Sequence, residues 1–565
     1  MNSKIRFSLL VAGLVGLNSI VSAQTVEQGR KFYYYTRYHS AKDVFEKVLA
    51  SNPNNIEAVY WLGQTLLQMK DSVAAEHLYS KALQSNGSAP LLLAGMGEIE
   101  IRKGKAADAR QRFETAISLT KGKDIQLLNA IGTANVAPKD RGDVPYAIEK
   151  LTMATQVKNF NSPETYIILG DAYRKLIDGG NAVLSYQKAL TLDPKYAAAK
   201  YRIGMVYLTQ NNKDYFLPAF EEAIQMDPNY GPAFYQLHFY WYTRDVNKSK
   251  DYLDKYIAVS DPDPGNDYLR TSVIYAAKNY DEAINAAKGY INSQGDKADP
   301  RFYKLIAYAY SDGKNDSVNA KNYLDQYFVK QKPDDFLPKD YSFRAQVLSK
   351  FPGTDSLVSL NYQWAIDKDT AVADKIDLTK DAADLFKRKG NKSAYADWLG
   401  RAYVQNKNPN QTDLYNWGIS NYQAGNYKRS DSIFCGIYTS KYPNEIFGYL
   451  WCARSAQAED DSLMSAGLAV EPYKKLAEVA RGLDSTAKAG NSPDSIKYKS
   501  QILSSYFFLA QYYNDNKKDK QSAIFYLEQV LAVDPTNATA LKFLDILKKP
   551  ARQQATKPRA TGTGK

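Results

Sequence analysis

The chain has 565 residues, 44% of them hydrophobic and 24% charged, which excludes a wholly disordered protein and leaves room for several domains or one long repeat array. Three His and two Cys exclude His-rich metal chemistry, a zinc ribbon and a disulfide-dense scaffold. The formal charge of +12 is concentrated at the ends: without Lys4, Arg6 and the basic residues after position 547, about +4 remains, too little for a basic nucleic-acid groove.

In chain order, Lys4 and Arg6 precede an apolar run over 7–17 and the small residues Val21-Ser22-Ala23. This is the pattern of a secretory signal peptide over 1–23, cleaved before Gln24. The apolar run is too short to span a bilayer. No Cys follows it, so no lipoprotein anchor is expected. The expected location is periplasmic, with no integral membrane segment in the mature chain.

The next signal is a repeat. Gly29, Gly63 and Gly97 stand 34 residues apart, as do Ala41, Ala75 and Ala109, the aromatics Phe45, Tyr79 and Phe113, and Val48, Ala82 and Ala116. The spacing returns in Gly170 and Gly204, Tyr186 and Phe220, Ala189 and Ala223, and Pro194 and Pro228. Gly and Ala twelve residues apart predict two antiparallel helices that approach closely. The aromatic four residues after the Ala shares its face and is expected to fill the space between neighbouring units. Asp193-Pro194, Asp227-Pro228 and Asp534-Pro535 are expected to end one helix and start the next, with Asp near the cap and Pro in the first turn.

Weaker units follow the same logic. Ala147, Leu151 and Ala154 mark one with a longer interhelix loop around 137–145; Ala283–Tyr290 and Ala320–Tyr327 mark others. Gly418, Ser430, Phe434 and Pro443 form a looser match, Ala523, Leu527 and Val530 a late one, and 539–549 a capping helix. The stretches 330–410 and 455–500 predict helices without a fixed register.

This pattern resembles the tetratricopeptide repeat family and, with the export signal, the secreted or periplasmic multi-repeat proteins of Bacteroidetes-type bacteria. The resemblance implies an all-α, right-handed α-solenoid of stacked helix-turn-helix repeats, with a concave groove lined by the first helices. The expected divisions are an N-terminal array over 24–262, a C-terminal array with degenerate repeats over 263–547, and a basic disordered tail over 548–565 that is a candidate for anionic-surface contact.

Catalytic motifs are absent from the sequence, and no catalytic, cofactor or metal residues are assigned. Gly95-Met96-Gly97 lacks the third Gly of a dinucleotide loop, with Glu100 in its place. His39, His77 and His238 fall in different repeats. The Asp-rich stretch 261–267 lacks the ligand pattern of a calcium loop and predicts an inter-repeat turn. The positions that clamp a chaperone C-terminus in some members of the resembled family correspond here to Val26, Arg30, Tyr60, Gln64, Ala94 and Glu98, which do not match. The groove candidates are instead Arg30, Tyr33, Tyr34, Tyr60, Arg174, Tyr201, Tyr235, Phe239 and Tyr242, since Tyr combines contact area with a hydrogen-bonding tip; for each ring, packing against adjacent helices is the competing expectation.

Cys435 and Cys452 fall on neighbouring helices and are expected as either a disulfide or two separate buried thiols. Asp followed by Ser or Thr and a small or aliphatic residue recurs at Ser72, Ser317, Ser356, Thr370, Ser462, Ser485 and Ser495. The triplet resembles the O-glycosylation motif of Bacteroidetes-type periplasmic proteins, and it equally suits helix starts. Together these readings predict a non-enzymatic, protein-binding scaffold of the cell envelope that binds envelope proteins or peptides and no nucleic acid. The alternative is a carbohydrate-binding component of an outer-membrane uptake system.

Overall fold

The computed structural model describes residues 25–490 and 492–549; the expected signal peptide and nearly all of the basic tail lie outside them. The described residues are almost entirely helical, with no strand among them, and form two compact units meeting at Asn315–Asp316. The division therefore falls beyond the expected 262/263 boundary, because the helices after position 263 continue to stack on those before it.

The first unit is a run of antiparallel pairs: α1 (Val26–Tyr34) and α2 (Tyr38–Ser51), α3 (Ile56–Gln68) and α4 (Ser72–Ser85), α5 (Pro90–Arg102) and α6 (Ala106–Thr120), α7 (Ile125–Val136) and α8 (Val144–Thr155), α9 (Pro163–Lys175) and α10 (Gly179–Leu192), α11 (Ala197–Thr209) and α12 (Lys213–Met226), α13 (Gly231–Trp241) and α14 (Val246–Val259), α15 (Gly265–Ala276) and α16 (Tyr280–Gln294). A last helix, α17 (Arg301–Tyr308), runs on into a π-helical stretch, Ala309–Gly313. The long turn expected around 137–145 separates α7 from α8. Asp71, Asp124, Asp143 and Asp178 start their helices by accepting the backbone N–H three residues on, which satisfies an otherwise orphaned donor.

The Gly–aromatic pairs are the joints of the stack. A Cβ on Gly29, Gly63, Gly97, Gly170 or Gly204 would lie 2.1–2.6 Å from a ring atom of Phe45, Tyr79, Phe113, Tyr186 or Phe220. Each ring thus sits on the glycine of its own pair, and Tyr79 also reaches Gly95 of the next. The aromatic therefore closes the pair as well as the gap between pairs. The Asp-Pro steps end their helices as expected but do not start the next ones. Asp193, Asp227 and Asp534 are C-caps, and the next helix begins four residues later; Asp193 and Asp227 accept the amides of Lys195 and Asn229 within the turn.

Most pairs are joined by a turn with one residue in the left-handed region, and the 34-residue register extends to it: Thr36, Lys70 and Gly104, then Ile177 and Asn211. Ile177 is 93% exposed, so it carries the steric cost of a β-branched residue at positive φ without packing in return. Ile177→Asn, the residue found at 211, is expected to stabilise the first unit by about 1 kcal/mol in urea unfolding. An unchanged midpoint would show that the turn is not strained.

The second unit uses the same chemistry with irregular lengths. Its helices span Ser317–Lys330, Pro338–Leu348, Asp355–Lys368, Val372–Arg388, Lys392–Gln405, Gln411–Gln423, Tyr427–Asp431 with a π-helical continuation over Ser432–Tyr438, Ile446–Glu459, Val470–Ala489, Asp494–Asp515, Lys520–Val533 and Ala538–Lys548. Phe434 covers Gly418 as the register predicts. The helices Val470–Ala489 and Asp494–Asp515 have 20 and 22 residues, against 13–15 for most helices of the regular pairs, which is why 455–500 carries no 34-residue register.

Candidate functional site

The first helices of the regular pairs line the interior of the first unit, and its curvature is tight enough to bring distant pairs together. Tyr34 Oη accepts the Ala198 amide at 3.1 Å, and the Tyr34 ring packs 5.3 Å from both Tyr196 and Tyr230. Tyr35 donates to Asp227 at 2.9 Å. Arg37 donates to Asp261 at 3.2 Å, the His39 and Ser40 amides at 2.8 and 3.1 Å, and the Ser40 hydroxyl donates to it as well. The α1–α2 turn is thereby tied to the turn after α14. The Asp-rich stretch read as an inter-repeat turn is that turn, and its first carboxylate closes the ring.

Burial alone would raise the Asp261 carboxyl. The Ser40 hydroxyl and amide, Arg37 and the His39 amide outweigh it and hold the group below its ordinary value of 3.8. A carboxylate depressed by folding stabilises the folded state above its unfolded value, and that contribution is lost as pH falls through the folded value. The closure is therefore expected to weaken below about pH 4, and Asp261→Ala to cost about 2 kcal/mol at pH 7. Hydrogen exchange of the 36–41 amides reads both; protection unchanged by Asp261→Ala would discard this account of the closure.

Inside the ring lies a cavity of about 1040 Å³, the size of a small-ligand or short-peptide site. Arg30 is among the residues that line it. Its guanidinium donates to Glu57 and Glu164, both at 3.3 Å, and lies 4.9 Å over the Trp61 ring. Gln126 also donates to Glu57, at 3.2 Å. Burial pushes the Glu164 carboxyl up, while Arg30 pulls it back and Glu57 opposes Arg30. Arg202 grips Asp171 through Nε at 3.0 Å to both oxygens. Trp61 is 8% exposed, and among the described residues its indole N–H, itself shut off from solvent, has no hydrogen-bond partner; an unpaired buried donor costs the fold free energy.

Six of the groove candidates line this interior. Arg30, Tyr33, Tyr34 and Tyr60 face the cavity; Arg174 and Tyr201 face an adjoining cleft of about 920 Å³. Tyr60, at 3% exposure, is a packing residue more than a contact surface. Tyr235, Phe239 and Tyr242 lie outside both. Tyr235 packs on Tyr256, Tyr242 donates to the Ser272 carbonyl, and Phe239 is 67% exposed. Of the clamp-equivalent positions, Gln64 and Glu98 are buried and hydrogen-bond each other at 2.8 Å, so they are occupied by the fold. Glu57, Trp61, Glu164, Asp171, Tyr196, Arg202 and Tyr230 line the cavity without having been singled out. Their signal was their position on a first helix or, for Tyr196 and Tyr230, at its N-cap; what the sequence hid was which first helices face one another.

Elsewhere, Cys435 and Cys452 form a disulfide, with Cα atoms 4.8 Å apart. It engages two of the three residues, with Asp431, that form a cluster of metal-ligand type among the described residues. Ser72 and Ser317 open their helices, Ser356 and Ser495 follow one residue in, Thr370 and Ser462 lie in turns, and Ser485 lies inside Val470–Ala489. No helix among the described residues is long and apolar enough to cross a membrane.

Three segments, 44–77, 169–231 and 503–537, match tetratricopeptide repeat models. These matches place tetratricopeptide repeats in both units, and each unit is an all-α array of stacked helix pairs of that kind. A search of curated protein sequences returns no match. Among solved structures, the C-terminal part of a TPR repeat-containing protein from Cytophaga hutchinsonii is 27% identical over 49% of this chain and 98% of its own, with a TM-score of 0.24. Yeast Tom70 is 13% identical over 70% and 95%, with a TM-score of 0.36. The APC/C hetero-tetramer Cut9–Hcn1 is 12% identical over 92% and 95%, with a TM-score of 0.28.

Proposed function

We propose that this protein is a non-enzymatic scaffold of the cell envelope that binds a partner protein, a short segment of which enters the interior of the first unit. The observation that carries this reading is the ligand-sized cavity lined by tyrosines and carboxylates. Stacked helices hold its side chains in place, so little ordering entropy is lost on binding. Export is supported by the N-terminal pattern of Lys4, Arg6 and the apolar run, and by a cysteine pair placed to be oxidised.

The test is a photo-crosslinking residue at Gln126, which lines the cavity, in cells of the native host. A reproducible crosslinked protein identified by mass spectrometry supports the scaffold. The same rings and carboxylates also suit a glycan, since sugars stack on aromatic faces and hydrogen-bond to acids and amides. Recovery of glycan on the purified protein, lost in Trp61→Ala, with no protein crosslink would replace the scaffold with the carbohydrate reading.

A further inference from the structure

The first unit has an edge where the turns within successive pairs converge, and two clefts open there on either side of the long α7–α8 turn. The larger, of about 920 Å³, is lined by Lys139, Arg174, Lys175 and Arg202 against one acid, Asp171. The smaller, of about 350 Å³, is lined by Lys70, Arg102, Lys139 and Arg141 against Asp140. Lys139 stands between the two. The N-cap carboxylates of neighbouring turns, Asp71, Asp143 and Asp178, line neither cleft and are engaged with backbone amides.

Several of these cations serve the fold. Lys175 donates to the carbonyls of Val136, Pro138 and Arg141 and so holds the long turn in shape. Arg102 pairs with Glu98, and Arg202 with Asp171. Among the described residues Lys70 and Lys139 have no ion-pair partner, and Arg174 reaches only the edge of Asp171, at 3.9 Å. Ile177, exposed and at positive φ, lines the larger cleft beside Arg174. Side chains held at such cost cluster where a ligand uses them.

We propose that this edge binds an acidic peptide segment of a protein partner, with its carboxylates on Lys70, Lys139 and Arg174 and an apolar side chain on Ile177. This deepens the partner-binding reading and rests on it. A peptide fits better than a phosphate polymer or an anionic bilayer for two reasons. The larger cleft shares Asp171, Arg202 and Tyr230 with the main cavity, whose carboxylates repel a uniform polyanion; a peptide can be acidic on the edge and neutral further in. An exposed Ile between cations also has no counterpart on a phosphate chain.

The probe is a fluorescent peptide whose first half is five Glu interrupted by one Leu and whose second half is five neutral Gly and Ser residues, titrated by anisotropy against the full-length protein, with the same peptide carrying Lys for Glu as control. Saturable binding is expected, falling at least tenfold in Lys70→Glu/Lys139→Glu/Arg174→Glu and several-fold in Ile177→Asn, which leaves the charge unchanged. Circular dichroism establishes that both variants are folded. Equal binding by the triple variant would place the contact elsewhere and overturn the proposal. So would binding of polyphosphate or of phosphatidylglycerol vesicles through these residues without the half-acidic peptide, and so would no binding of any of these probes. If the half-acidic peptide fails while the Gln126 crosslink still captures a protein, the edge assignment falls and the partner-binding reading stands.

Discussion

Gly63→Val is expected to destabilise the first unit by about 4 kcal/mol, the largest single-site effect among these predictions. The Cβ would lie 2.1 Å from Tyr79 Cζ. Overpacking of a tight core ordinarily costs about 1–3 kcal/mol, but here the ring cannot yield. Tyr79 is fully buried, its opposite face rests on Gly95, and its hydroxyl donates to the Tyr60 carbonyl at 2.9 Å. A displaced ring would leave the buried Tyr79 hydroxyl without its acceptor, adding about 1 kcal/mol. Gly289→Ala is the contrast: no atom lies within 4 Å of its Cβ, so helix propensity alone acts and a gain of about 0.5–1 kcal/mol is expected. Urea unfolding of both variants decides; a small effect at Gly63 would mean that the pair does not depend on ring-on-glycine contact.

Removing the Cys435–Cys452 bridge by Cys435→Ser/Cys452→Ser is expected to cost the second unit about 3 kcal/mol, the chain-entropy value for closing a loop of this length. The separation is 17 residues. The bridge links the π-helical stretch Ser432–Tyr438 to the helix Ile446–Glu459, where α-helical hydrogen bonding is interrupted and a covalent tie has most to hold. The wild-type chain, denatured without reductant, should take up no iodoacetamide. Two labels per chain, with an unfolding midpoint insensitive to the serine variant, would show the thiols to be separate.

The regular half of the fold was legible in the sequence because its determinants are local. Gly63 and Tyr79 are sixteen residues apart, and their contact follows from helix geometry alone. The second unit was less so, since helices of 20 and 22 residues break a register that assumes shorter ones. The site was legible in type but not in arrangement. Arg30, Tyr33 and Tyr34 stand out as first-helix residues, but that Arg30 meets Glu164, or Tyr35 meets Asp227, depends on how far the stack curves. Curvature is a sum of small rotations over several pairs, and no single residue encodes it. Tyr60 shows the cost: in a shallow curve it would face solvent, and in this tight one it is core.

The contact of Arg37 and Ser40 with Asp261 also bears on how the molecule is made. Repeat arrays usually fold by local zipping, each pair on its predecessor, but here the first pair cannot complete its bonds until residue 261 has emerged. At about 5–20 residues per second of synthesis, the Tyr34 and Tyr35 rings wait roughly ten to forty seconds for their partners. During that interval the emerging array is an open coil whose aromatic inner surface is accessible to any chain that meets it, so closure rather than helix formation sets when the protein becomes selective.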